Sequence, residues 1–254
     1  MAAKKETKNN ANGNAKATNN ANGNAKATKD AKAKGNGMLE VVFILDRSGS
    51  MSGLEEDTIG GFNSTLEKQK AESDNVIWST VLFDTNHDVI HNRMPIKMVE
   101  PLNERQYYVR GCTALLDAVG RAIHHIGMCH KYARAEDVPE RTLFIITTDG
   151  MENSSYQYTY RKVKEMISIE QEQYGWEFLF LGANIDAVSE ADRLGIRAGR
   201  AATFVNDDVG IGKNYEAFGT VMCKMSRMEA FSDSDIEECL APVREDFEKR
   251  GGRR

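Results

Sequence analysis

The chain has 254 residues, 41% of them apolar and 28% charged, with a formal net charge of −5. That is ordinary globular composition, and the length suffices for one domain with a substantial core. The charge is unevenly spread: residues 1–37 hold eight lysines against Glu6 and Asp30, so the remainder has 25 basic and 36 acidic residues. An acidic body argues against a nucleic-acid-binding fold, although a basic arm remains able to meet an anionic partner.

No apolar run reaches membrane-span length, and no apolar stretch follows the first lysines as a secretory signal requires. Cys112, Cys129, Cys223 and Cys239 show neither CxxC nor zinc-finger spacing, which fits free thiols in a reducing compartment. The expectation is a cytoplasmic protein with no membrane partner.

Residues 9–18, NNANGNAKAT, recur letter for letter at 19–28, and no large apolar side chain falls between Lys4 and Gly37. A segment so poor in apolar surface is expected to be disordered. It reads as a solubilising tail or a basic tether. Residues 38–230 are expected to form the folded domain, and residues 231–254 a C-terminal helix with a basic tail.

The first element is the run Val41-Val42-Phe43-Ile44-Leu45. Its lack of helical spacing predicts a strand buried on both faces, as in a parallel sheet. Residues 53–73 have helical spacing, residues 75–84 (NVIWSTVLFD) predict a second strand, and 87–99 a hairpin or short edge strand ending near Pro95. A loop over 101–110 leads to a helix predicted over 113–133. RTLFIITT at 141–148 predicts a third buried strand, followed at once by Asp149-Gly150. A helix over 158–174, a strand over 176–181, a short helix over 187–194 and a strand over 201–205 follow. Helices over 214–228 and from Ser232, the start of a capping box, to about residue 249 complete the chain. Alternating strands and helices predict a mostly parallel sheet covered on both faces.

Three loops at predicted strand ends or helix starts carry oxygen donors. Asp46, Ser48 and Ser50 alternate directly after the first strand, Thr113 precedes the long helix, and Asp149 ends the strand 141–148. In α/β sheets the carboxyl edge of the strands is where ligands bind. Two carboxylates with hydroxyls, and no thiol or imidazole, suit a hard divalent cation.

The series DxSxS (46–50), GxTALxDA (111–118) and TTDG (147–150) resembles the von Willebrand factor type A domain with its metal-ion-dependent adhesion site, over roughly residues 38–230. The resemblance implies a doubly wound, Rossmann-like α/β fold with one antiparallel edge strand. It also implies Mg²⁺ or Mn²⁺ held by Asp46, Ser48, Ser50, Thr113 and Asp149, and an open coordination position for an acidic side chain of a protein partner. Metal loops coupled to the last helix are a further family trait. Lacking a signal peptide and a flanking cysteine pair, the chain is similar to the intracellular bacterial members, for which partner scaffolding is the expectation; with no general base near Asp46 in the sequence, a binding module is expected and not an enzyme.

Other readings of the same residues are weaker. A phosphotransferase built on Asp46 needs a second Asp at position 48, where Ser stands. A metal-dependent hydrolase of phosphoesters, using the same cation, is the alternative function. Asp117 is either a support for the metal loops or an ordinary helix-start carboxylate, and Asp84 either approaches the metal edge or ends a turn. His87 and His91 lie ~13 Å apart on an extended strand, too far for one ion. His124, His125 and His130 read as helix-surface residues and Cys112 as a small buried one. GIGK at 210–213 lacks the first glycine of a phosphate loop. Met222, Met225 and Met228 read as core.

Overall fold

The computed structural model describes residues 36–227 and 232–251. Residues 1–35 of the predicted tail, with its repeat, residues 228–231 and the last three residues lie outside them. Six strands, β1 (Leu39–Asp46), β2 (Val76–Phe83), β3 (His87–Pro95), β4 (Arg141–Thr148), β5 (Glu177–Ala183) and β6 (Ala201–Phe204), form one sheet in the order β3-β2-β1-β4-β5-β6. Every neighbouring pair is parallel except β2 with β3, so β3 is the antiparallel edge strand. The helices are α1 (Glu55–Glu72), α2 (Leu115–Tyr132), α3 (Tyr160–Tyr174), α4 (Ala187–Leu194), α5 (Asp208–Ser226) and α6 (Asp233–Arg250).

The apolar run of β1 is explained by its two faces. Val41, Phe43 and Leu45 enter a core shared with Phe62 of α1, Phe218 of α5 and Leu240 of α6. Val42 and Ile44 enter a second core with Val119 of α2, Ile167 of α3 and Leu194 of α4. Alternation of side chains across the pleat thus gives the run Val41–Leu45 two cores, and the strand's polar residues, Glu40 and Asp46, stand on either side of that run. The Phe43 ring stacks on Trp78 at 4.9 Å between centroids and meets Phe62 edge-on at 5.5 Å. The fold is the expected doubly wound α/β sheet with helices on both faces.

One boundary differs from the sequence reading in an informative way. α5 begins at Asp208, six residues before the predicted start, with Asp207 as its cap accepting from the Gly210 N–H at 2.9 Å. Gly210 masks the helical pattern because a Cβ there would sit 1.9 Å from the Val205 carbonyl oxygen. α6 opens as expected, with Ser232 and Asp235 completing a reciprocal capping box. Among the described residues no helix is long and apolar enough to cross a membrane.

Candidate metal centre

The chain enters β2 and β4 from opposite directions around β1, which makes the gap between the carboxyl ends of β1 and β4 the topological switch point. Asp46 is the last residue of β1, and Asp149 follows β4. The loop after β1 turns through Ser48 and Ser50, and the loop before α2 brings Thr113 alongside. The five residues singled out in the sequence therefore meet at one place.

Their contacts form an open ring that branches at Ser48. Ser50 Oγ donates to Asp149 Oδ1 at 2.5 Å, and the Ser48 and Ser50 hydroxyls are 3.1 Å apart. Thr113 Oγ1 donates to Ser48 Oγ at 3.1 Å. Asp46 accepts from the Ser48 N–H at 2.7 Å and from Thr148 Oγ1 at 2.6 Å. Asp46, Ser48, Thr113 and Asp149 are buried, whereas Ser50 is exposed, so the ring opens to solvent on one side.

Both carboxylates are unfavourable as lone anions. Burial, with a minor contribution from the Asp149 charge, pushes Asp46 up to about 6 despite its hydrogen bonds to Thr148 and Ser48. Burial also raises Asp149, against the Ser50 hydroxyl and the Asn206 amide. Asn206, which the sequence reading did not single out, places Nδ2 3.5 Å from Asp149 Oδ2, while its own Oδ1 is buried without a hydrogen-bond partner. Two buried carboxylates, three hydroxyls and an orphaned amide oxygen fit a hard divalent cation or its bound waters. Among the described residues no three His, Cys, Asp or Glu side chains gather in a metal-like group, so the donor set here is carried by hydroxyls.

The space at the centre of the ring depends on glycine. A Cβ on Gly150 would stand 3.3 Å from Thr113 Oγ1 and 3.4 Å from Ser50 Oγ. Gly111, at φ +69°, turns the second loop so that its carbonyl accepts from the Gly49 N–H at 3.2 Å. A Cβ there would also collide with Thr85 Oγ1 at 2.7 Å.

A second set of residues holds these loops in place. Arg47, between two of the candidate ligands, is buried with its guanidinium directed away from the ring. Its Nε donates to Asp84 Oδ2 at 2.9 Å, Nη1 to the Gln106 carbonyl at 3.0 Å, and Nη2 pairs with Asp88. Arg110 joins Asp84 from the other side at 2.8 Å. Although burial opposes it, Arg110, the Asn86 N–H and Arg47 hold the Asp84 carboxyl below its usual range. Asp84 is thus both the turn residue after β2, its Oδ1 accepting from the Asn86 N–H at 2.8 Å, and the anchor of an ion-pair network beside these loops.

Asp117 is buried too, and accepts the backbone N–H groups of Tyr156, Gln157 and Tyr158 at 2.9–3.2 Å. Asn153 clamps Thr113 through two bonds, from the Thr113 N–H to its side chain (2.9 Å) and from its own N–H to the Thr113 carbonyl (3.0 Å). The loop bearing Asp149 is thereby fastened to the loop bearing Thr113.

The remaining candidates lie elsewhere. His91 is buried against Thr80 Oγ1 at 3.0 Å, and His130 reaches buried Glu40 at 2.5 Å. Cys112 is exposed, not buried as the sequence suggested, because its loop stands above the sheet edge. Met222 and Met225 are in the core.

No protein-family model matches the sequence, and no curated protein does. Solved structures do match. The pilus adhesin SpaC from Lactobacillus rhamnosus GG, in its open conformation, superposes with a TM-score of 0.55 at 10% identity, over 74% of this chain and 30% of that one. The PilB minor pilin from Streptococcus sanguinis gives 0.54 at 10% identity, over 76% and 63%. Proximal thread matrix protein 1 from the mussel byssus gives 0.50 at 14%, over 73% and 46%. The fold is shared. The chain spans less than two-thirds of the length of each of these proteins, and at such identities the likeness is one of architecture. What the chain does with that architecture rests on its own residues.

Proposed function

We propose that this chain is a von Willebrand factor type A domain acting as a cation-dependent interaction module. Asp46, Ser48, Ser50, Thr113 and Asp149 hold Mg²⁺, or Mn²⁺, and an acidic side chain of a protein partner completes the coordination. The observation that carries this reading is the set of hydroxyl and carboxylate contacts in which Asp46, Thr113 and Ser50 meet at Ser48 and Ser50 goes on to Asp149, open to solvent at Ser50. Three of its five members are neutral hydroxyls, which leaves a bound cation attractive to one more carboxylate. The minor pilin and the pilus adhesin that share the architecture are compatible with an interaction role for it.

In this reading the protein's own groups do limited work. Asp46 and Asp149 supply charge, the three hydroxyls supply neutral donors, and Asn206 supports Asp149. The Arg47–Asp84–Arg110 network keeps the first two loops at fixed separation. The cation supplies Lewis-acid attraction for the partner's carboxylate. The cytoplasm is the module's expected compartment.

Calorimetric titration of Mg²⁺ into EDTA-treated protein tests the reading. Saturable binding to one site, abolished in Ser50→Ala and Thr113→Ala, is the expected outcome. Binding that survives both substitutions places the ion elsewhere.

A further inference from the structure

Directly beside the candidate metal centre lies a polar cleft of about 420 Å³, between the turn that follows β2 and the first two turns of α2. Ala114, the residue after Thr113, is part of its wall, as are Arg110, Arg121, His87, Asp88 and Tyr156. The cleft and the metal loops thus share one rim.

The charges in the cleft are unequally satisfied. Asp88 is engaged by Arg47 and Arg110. Asp117 spends its two carboxylate oxygens on three backbone N–H groups. Arg121 differs from both. Its only side-chain hydrogen-bonding partner among the described residues is the His87 ring, at 3.1 Å from Nη1, and its Nε is buried with no partner. Burial, and next the Arg121 charge, lower the His87 pKa, so the imidazole beside the guanidinium is neutral near neutral pH. Among the described residues no carboxylate pairs directly with Arg121, which borders a solvent-accessible cleft beside a neutral ring while the cleft's own carboxylates, Asp88 and Asp117, are engaged elsewhere. The exposed Tyr156 ring, at 76% exposure, lines the cleft with no ring or cation partner for its face among the described residues.

We infer that this cleft is a second carboxylate subsite, in which Arg121 binds a further acidic side chain of the same partner segment that reaches the metal ion. The inference rests on the metal-dependent reading above and gives the partner a more specific description: a segment with two acidic residues, one for the cation and one for Arg121. The guanidinium fork suits a carboxylate bidentately, and the Tyr156 ring covers the intervening chain. The two subsites together discriminate such a segment from any isolated surface carboxylate.

The test uses the full chain and synthetic peptides containing one Asp, or two Asp separated by glycine spacers of increasing length, titrated calorimetrically in Mg²⁺ and in EDTA. For at least one spacer the second Asp strengthens binding by about tenfold, the scale of one charge-assisted hydrogen-bonded contact. Arg121→Gln removes that gain and keeps the affinity for the single-Asp peptide; Arg121→Lys, which retains charge without the fork, keeps part of it. Thermal unfolding of each variant establishes that it is folded, and the lysine variant carries the test if the glutamine one is not. The inference is overturned if no spacer gives a gain, or if the gain is equal in wild type and both variants. A gain that persists in EDTA and vanishes in Arg121→Gln supports the cleft while contradicting the metal reading. Peptide binding sensitive to EDTA but indifferent to the second Asp does the reverse.

Discussion

Replacing Gly150 with alanine separates the metal centre from the fold that carries it. The new Cβ would stand 3.3 Å from Thr113 Oγ1, closer than most packed neighbours, and 3.4 Å from Ser50 Oγ, so the Thr113 hydroxyl must shift by a few tenths of an ångström and the space between the two is filled. Gly150 is not among the residues with positive φ, so alanine is tolerated by the backbone and loses less entropy on folding, a gain of about 0.4–1 kcal/mol. Misplaced donors, by contrast, typically weaken a metal site by about 10–100-fold. At a Mg²⁺ concentration about 100 times the wild-type Kd, the ion stabilises the native state by about 2.7 kcal/mol, and a hundredfold weaker site leaves about 0.4 kcal/mol. For a domain of this size the wild-type protein gains about 5–10 °C in Tm on adding Mg²⁺, and Gly150→Ala gains about 1 °C. Differential scanning calorimetry in EDTA and in Mg²⁺ reads both quantities. If Gly150→Ala keeps the wild-type metal-induced shift, the ion does not sit in the space facing Gly150, and the geometry argued above is wrong.

Three further substitutions probe the supports. Arg47→Met leaves buried Asp84 with Arg110 as its remaining ion partner; a loss of about 3 kcal/mol in urea unfolding, at the low end for a broken buried pair, is expected. Asp117→Ala orphans three backbone N–H groups of the loop 156–158 and costs about 2–3 kcal/mol. It also weakens Mg²⁺ binding, because that loop fastens Asp149 to Thr113; unchanged affinity in isothermal titration would remove Asp117 from the account. Ser232→Ala, at the capping box of α6, costs about 1 kcal/mol by chemical denaturation and leaves Mg²⁺ affinity untouched.

How much of this was legible in the sequence depended on whether the determining contact was local. β4 spans 141–148 and α4 spans 187–194, as predicted, because Pro139, the Asp149-Gly150 turn and the Gly195 stop bracket them within a few residues. The alternating donors Asp46, Ser48 and Ser50 were visible for the same reason. The start of α5 was obscured by Gly210, whose small size answers to the Val205 carbonyl of the preceding loop and not to helix propensity. The supports of the metal loops were harder still. Arg47 and Asp84 are 37 positions apart, and Asp117 meets backbone donors 39 to 41 positions away. A lone arginine inside DxSxS carries no sign that it will be buried, and Asn206 no sign that it will reach Asp149. Such residues become interpretable only once the sheet order brings β1, β2 and β4 side by side.

The central claim is that one hard cation sits among the loops after β1 and β4 and before α2. Anomalous diffraction from crystals grown with Mn²⁺ in place of Mg²⁺ tests it most directly. The account predicts a single strong peak within coordination distance of Ser48 Oγ, Ser50 Oγ and Thr113 Oγ1, with Asp46 and Asp149 bonded directly or through water and one position left to solvent or a carboxylate. A Mn²⁺ peak at another place on the molecule, or none at saturating metal, would contradict it.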